Sequence, residues 1–300
     1  MWFKNLQTYR LPAGWEITAN QMETQLARHV FQRCGSMDMQ SRGWISPRKD
    51  ENLVFSQNQQ FLIAMGTEQK LLPSTVVNQI ANERIAEIEE QQGYKLGRKQ
   101  SREIKENVTD ELLPRAFSRR STTFVWIDPV NGWLIVDAAN AAKSEEVQKL
   151  LFDSLDDLPL SLLKTQQSPT SAMTTWLATG EAPAGFTIDR DCVLQAPNEE
   201  KATVRYSRHP LDVEEIRAHL AEGKTATRLA LTWNDRISFA LNEQLQVKQL
   251  SFLDIIKEEA ESQAETAEEQ FAADFALMTG ELSPLLHDLV SALGGEQEKI

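Results

Sequence analysis

Three hundred residues, 41% hydrophobic and 25% charged, make an ordinary globular chain that is long enough for more than one core and excludes wholesale disorder. The longest apolar runs, Phe124–Ile127 and Trp133–Ala139, are strand-sized where a membrane span needs about 20 residues, and Met1–Asn5 does not open a secretory leader. The net charge of −13 is uneven: Asp254–Ile300 holds twelve acidic and two basic residues, so the remainder carries only −3.

In chain order, Trp2–Arg10 reads as a strand, and Asn20 with Glu23 three residues on reads as a capping box opening a short helix through about Phe31. Strand-like pieces follow at Trp44–Ile45 and Phe61–Met65. Pro73-Ser74 starts a helix whose stripe is Val76, Val77, Ile80, Ile85 and Ile88, and which runs out near Gln91–Gly93. After the polar stretch Tyr94–Arg102, a second helix covers about Arg102–Leu113 and stops at Pro114. Two helices with few large apolar residues predict a projecting helical hairpin. Thr122–Asp128 and Trp133–Ala139 then form the clearest β-hairpin, with Gly132 of the Pro-Val-Asn-Gly turn suited to positive φ. Ser144–Leu155 reads as an amphipathic helix, Leu158–Leu163 as a buried strand and Lys164–Ser171 as a domain boundary. In the second half, strands are expected at Ala202–Tyr206, Thr227–Trp233, Ile237–Leu241 and Leu245–Phe252. A helix there has Asp212 as cap, Glu215 as box partner and Gly223 as stop, and the last fifty residues are mostly helical. The expected class is α+β with antiparallel sheets.

Catalytic signatures are missing. There is no phosphate-cradling glycine loop, and His29, His209, His219 and His287 are scattered without zinc-site spacing. His287 beside Asp288 reads as surface, Glu258–Glu269 as a solvated acidic helix face, and Cys34 and Cys192 as buried small apolar residues rather than a disulfide or metal set. No cofactor, metal or catalytic residue is expected. One segment stands out. Between Lys95 and Arg120 eight basic residues face four acidic ones, and Leu112–Ser121 sets Arg115, Arg119 and Arg120 around Phe117. Arginine clusters suit phosphate oxygens, and because charge is felt only within about 8–10 Å, an acidic tail elsewhere does not forbid a basic surface here. Two other readings stay open. Phe117 can be a core anchor with the arginines bridging Asp110 and Glu111, or an aromatic knob for a second subunit.

That segment, with others, resembles the bacterial recombination-associated RdgC family. The matching stretches are Met1-Trp-Phe-Lys-Asn-Leu6, Tyr9-Arg10-Leu11, Cys34-Gly35-Ser36, Gly43-Trp44, Leu72-Pro73-Ser74, Leu112–Ser121, Trp126-Ile127-Asp128 and Val130-Asn131-Gly132. Asp274–Leu282 and Leu293-Gly294-Gly295-Glu296 continue the match to the last residues. The resemblance implies a non-enzymatic, nucleoid-associated protein that binds double-stranded DNA without sequence preference, with single-stranded DNA a second candidate. Horseshoe-shaped subunits would close into a ring-shaped homodimer around DNA and negatively modulate RecA-dependent recombination. Phe117 would fall at the ring-closing junction. Arg98, Lys99, Arg102, Arg115 and Arg119 would contact DNA in the first half. Arg120 stands where the family can carry an aromatic, and Arg208 aligns with a basic position although His209 and Pro210 depart from the pattern.

The implied organisation is a central domain from residues 1–73 and 121–165, a helical tip from 74–120, and a base domain from 166–300 ending in acidic helices. One rival is a protein-interaction regulator that inhibits the recombinase directly through its acidic surface. A second is a nuclease whose scattered carboxylates hold Mg²⁺.

Overall fold

The computed structural model describes residues 1–48, 50–211, 214–254 and 265–297. The class is α+β with two antiparallel sheets, as expected, and seven α-helices are present among the described residues. The first sheet has the order β2 (Gln40–Ile45), β4 (Gln60–Lys70), β5 (Ser118–Asp128), β6 (Trp133–Val136), β1 (Gln7–Arg10), β7 (Ser161–Leu162), with β3 (Val54–Gln57) also paired to β4. The second has the order β12 (Val247–Phe252), β11 (Ile237–Asn242), β10 (Thr225–Trp233), β8 (Phe186–Gln195), β9 (Thr203–Tyr206).

Strand alternation explains how the first sheet is buried on both sides. The cross-strand row Leu62, Trp126, Ile135 belongs to one core, and the next row, Ile63, Val125, Val136, belongs to another. The second of these cores is closed by Met22 and Leu26 of α1 (Ala19–Leu26) and by Val147, Leu150 and Leu151 of α4 (Ala141–Ser154). The first is shared with the second half of the chain. It includes Met173 and Trp176 of α5 (Pro169–Thr179), Leu229 and Trp233 of β10, and Phe275, Met278 and Leu282 of α7 (Ala267–Ala292). One backbone and one buried side-chain hydrogen bond reinforce this contact: Leu6 N–H donates to the Val247 carbonyl at 2.8 Å, and Gln246 Nε2 donates to Gln7 Oε1 at 2.9 Å.

Several boundaries move from their sequence positions. The α1 cap is Thr18 with Gln21, not Asn20 with Glu23. Glu23 instead accepts the Leu53 and Val54 N–H groups, each at 2.8 Å, and so seats α1 against the start of β3. The expected strand Leu158–Leu163 shrinks to Ser161–Leu162, and the polar stretch from Lys164 contains both a bridge from Thr165 to Glu296 and the start of α5 at Pro169. Strands β3 and β8 and helix α5 were absent from the sequence reading. The expected cap Asp212 lies outside the described residues, as does most of the acidic run from Glu258. Its end, at Glu265, Glu268 and Glu269, is exposed. Glu215 accepts from Tyr206 Oη at 3.0 Å, from α6 (Glu214–Ala221) onto β9.

Helices α2 (Ser74–Gln92) and α3 (Arg98–Leu112) pack on each other away from both cores. Ala81 in α2 and Val108 in α3 are their buried positions. Arg84 closes the pair with a two-pronged contact to Glu111, at 2.9 and 2.5 Å, and this holds the Glu111 carboxyl below its ordinary range. Gly93 ends α2 at φ +77°, a left-handed conformation that glycine adopts without a Cβ penalty.

Candidate nucleic-acid interface

The basic residues singled out from the sequence are carried by α3, by the short 3-10 turn Leu113–Arg115 that follows it, and by the first residues of β5. α3 begins at Arg98 after the N-cap Gly97, four residues earlier than expected, so Arg98, Lys99 and Arg102 all lie in its first turns, and all are exposed. Arg102 Nε reaches Glu106 one turn on at 2.8 Å, a solvent-facing pair that is worth little to stability. Pro114 sits in the 3-10 turn, where its missing N–H costs nothing. Arg115 closes that turn, exposed and close enough to Glu111 to help depress its carboxyl.

Phe117 is 84% exposed, which rules out the core-anchor reading. Its carbonyl accepts the Leu71 N–H at 2.7 Å, so the β4–β5 ladder extends one step beyond β5 while the ring stands in solvent. Exposed Leu71 is its backbone partner, and Met39, also exposed, gives its carbonyl to the Lys70 N–H next door. The arginines do not bridge the acids first considered either: Glu111 is taken by Arg84, and Arg120 turns to Glu68.

Glu68 organises the start of β5. Its side chain is only 6% exposed and accepts Ser118 Oγ at 2.7 Å, Cys34 N–H at 3.1 Å and Arg120 Nε at 3.3 Å. The Ser118 hydroxyl, then the Cys34 amide, and the nearby Arg120 charge hold its carboxyl below the ordinary range. Glu68 stands opposite Arg120 in the ladder, and Gln69 opposite Arg119. Successive residues of a strand face opposite sides, so Arg119 projects from the face away from Glu68 while Arg120 is drawn towards it. The two adjacent arginines, grouped together from the sequence, therefore belong to different surfaces, and among the described residues Arg119 and Arg115 enter no ion pair. No motif marked Glu68, because its three partners come from distant parts of the chain.

Arg208 lies on the other sheet. It follows β9 at φ +53°, and its backbone N–H donates to Asp191 at 3.3 Å. Cys34 is half-buried rather than buried, with Sγ 3.3 Å from the Glu68 carbonyl, and Cys192 is buried, its thiol pushed up to about 11 by burial and then by Asp191. Asp288 beside His287 accepts from Trp233 Nε1 at 2.9 Å, a structural use of that carboxylate. Among the described residues no cluster of three His, Cys, Asp or Glu side chains could hold a metal, and no helix is long and apolar enough to cross a membrane.

Residues 1–296 match the family model described as "Putative exonuclease, RdgC". The chain belongs to the RdgC family. It is 59% identical over 299 residues to the recombination-associated protein RdgC of Herminiimonas arsenicoxydans, covering 100% of both chains. It is 60% identical over 299 residues to the protein of that name from Dechloromonas aromatica, covering 99% of this chain and 98% of the relative. With that of Janthinobacterium sp. it shares 59% over 299 residues. The expected family is thereby established, and these relatives carry the name recombination-associated protein. The two descriptions differ on enzymatic activity, one naming an exonuclease and the other a recombination-associated protein.

Proposed function

We propose that this RdgC-family chain is a non-enzymatic protein that binds double-stranded DNA without sequence preference, encircles it as a ring-shaped homodimer and restrains RecA-dependent recombination at the nucleoid. One observation carries the reading. In a chain of net charge −13, Arg115, Phe117 and Arg119 are all exposed within five positions at the α3–β5 junction, and among the described residues the two arginines enter no ion pair. Guanidinium groups meet phosphate oxygens in pairs of parallel bonds, and phosphate contacts carry no base information. Arg98, Lys99 and Arg102 extend the basic surface along α3. Arg120, spent partly on Glu68, is the weakest contact of the group, and Arg208 contributes from the second half.

In this reading α2 and α3 form the projecting tip (74–120) of a horseshoe-shaped subunit. Residues 1–73 with 121–165 form its centre and 166–300 its base, and Phe117 is the knob that closes the ring on a second copy. Binding of a random-sequence duplex across a salt series tests the proposal. A steep loss of affinity with salt, equal for unrelated sequences, is expected, and the Arg115→Ala, Arg119→Ala double variant should lower the slope by about 2. Equal affinity and slope in parent and variant would remove these residues from the interface.

Inhibition of strand exchange should be relieved by excess duplex. Inhibition indifferent to duplex concentration would instead favour direct contact with the recombinase through the acidic surface. Incubation of DNA with the protein and Mg²⁺ should leave the DNA intact, and shortening from its ends would establish an exonuclease.

A further inference from the structure

Helix α7 is 26 residues long and carries Gly280 and Pro284 one turn apart in its interior. Proline has no N–H, so the Gly280 carbonyl receives no helical hydrogen bond from the residue four positions on, and the proline ring crowds it. Glycine loosens the same turn because it has the most backbone freedom to lose. Both residues are exposed. A Cβ on Gly280 would meet nothing within 4 Å, and its φ is not in the left-handed region, so neither packing nor a turn requires the glycine.

This weak turn divides the helix by what it touches. Before it, Phe271 and Phe275 set their rings edge-on to Phe55 of β3, and the Met278 sulfur accepts the Phe3 N–H at 3.3 Å. Those partners belong to the first half of the chain. From Glu281 on, the partners belong to the second half: Glu281 takes the Arg236 guanidinium at 2.7 Å, and Asp288 accepts from Trp233 Nε1 at 2.9 Å.

Beside Pro284 the two halves leave a gap. A cavity of about 320 Å³ is lined by Arg10, Asn131 and Trp133 from the first half and by Ser283, Pro284 and His287 from α7. Arg10 and Glu296, which also line it, pair at 3.0 Å, but both are partly exposed and such a pair contributes little. Protein interiors are otherwise close-packed, so a bend at the broken turn has room to narrow or widen this gap without repacking either end of the helix.

We propose that Gly280–Pro284 is a hinge on which the second half of the subunit swings against the first across this cavity. Hinges are a few residues that absorb backbone change, and helices bend at proline and glycine. The use of the swing rests on the DNA-encircling reading: it widens the ring so that duplex without an end can enter. The stretch Asp274–Leu282 entered the sequence reading only as a family match, and its glycine has here a physical role.

The test uses the full-length protein with nitroxide labels at Val130→Cys and Ser291→Cys, both exposed and on opposite halves, in a Cys34→Ser background and diluted with unlabelled protein so that distances within one subunit are read. The parent should give a broad or split distance distribution, and Gly280→Ala/Pro284→Ala a single narrower one. Better helix formers at exposed positions should leave the variant melting no lower than the parent, and Gly280→Ala alone gives the same comparison if the double variant is poorly soluble. The unlabelled double variant should load onto closed circular duplex several-fold more slowly than the parent while binding linear duplex with parental affinity. Equal distance distributions in parent and variant would overturn the hinge. Narrowing with unchanged loading would overturn its use in loading. A parent that binds no duplex would overturn the proposed function, and the distance measurement would still decide the hinge.

Discussion

The two ends of one strand pair have opposite fates. At its inner end, β4 and β5 run from Phe61 opposite Ile127 to Met65 opposite Thr123, buried on both faces with Leu62 and Trp126 fully enclosed. At its outer end, Gln69 pairs with Arg119 and Lys70 with Ser118, and Phe117 just beyond stands in solvent. Backbone hydrogen bonding is continuous along the ladder, so secondary structure does not distinguish the ends. What differs is the cover. Two cores sandwich the inner end, whereas β6 meets β5 only over Val125–Asp128, and among the described residues no strand pairs with Ser118–Thr123 on that edge. A strand that begins as scaffold thus ends as a presented edge, the arrangement expected where binding residues are held by a rigid element.

The contrast can be broken most severely at the inner end. Trp126→Ala should remove about 3–5 kcal/mol of stability by opening a cavity between Leu62 and Ile135 and stranding the Gln60 amide that its Nε1 contacts, as measured by urea or thermal unfolding. Less severe is Glu68→Gln, which tests whether the outer end is held by that carboxylate. Because the folded carboxyl lies below its ordinary value of 4.5, its contribution is complete above that value and fades as pH falls through the folded one. The parent should therefore lose stability on acidification below about pH 4.5 more steeply than Glu68→Gln, and identical pH profiles of unfolding would show that Glu68 does not anchor the strand.

Smallest of all in stability is Phe117→Ser, expected within about 0.5 kcal/mol of the parent because the ring touches little in its own subunit. Its effect should appear in sedimentation as weakened self-association and on closed circular DNA as faster release. Unchanged self-association would remove Phe117 from the subunit contact.

Legibility followed the same division. The β5–β6 hairpin was readable because its turn is local chemistry: Gly132 takes φ +70° as its place in the turn requires, and Asp128 accepts the Asn131 N–H at 3.0 Å. The α2 stop at Gly93 was readable for the same reason. The α1 cap was misplaced because Thr18 and Asn20 are both competent caps, and Glu23, the apparent box partner, is used by Leu53 and Val54, which only the folded chain brings near. β8 was missed because the charged run Asp189-Arg190-Asp191 interrupts its apolar pattern and looks like loop. Arg119 and Arg120 read as one cluster in the sequence, and alternation separates them once the strand starts at Ser118 instead of Thr122.

The sequence by itself determined the α+β class, the basic and aromatic segment before β5 and membership of the RdgC family, because these rest on local propensity, turn chemistry and motifs in order. The tertiary structure alone decided that Phe117 is outside the core, that Glu68 holds Ser118, Arg120 and the Cys34 amide, and that α7 passes from partners in one half of the chain to partners in the other at Gly280. Burial and partnership across 34 or more residues depend on which strands pair and in what register, and no short window of sequence carries that information.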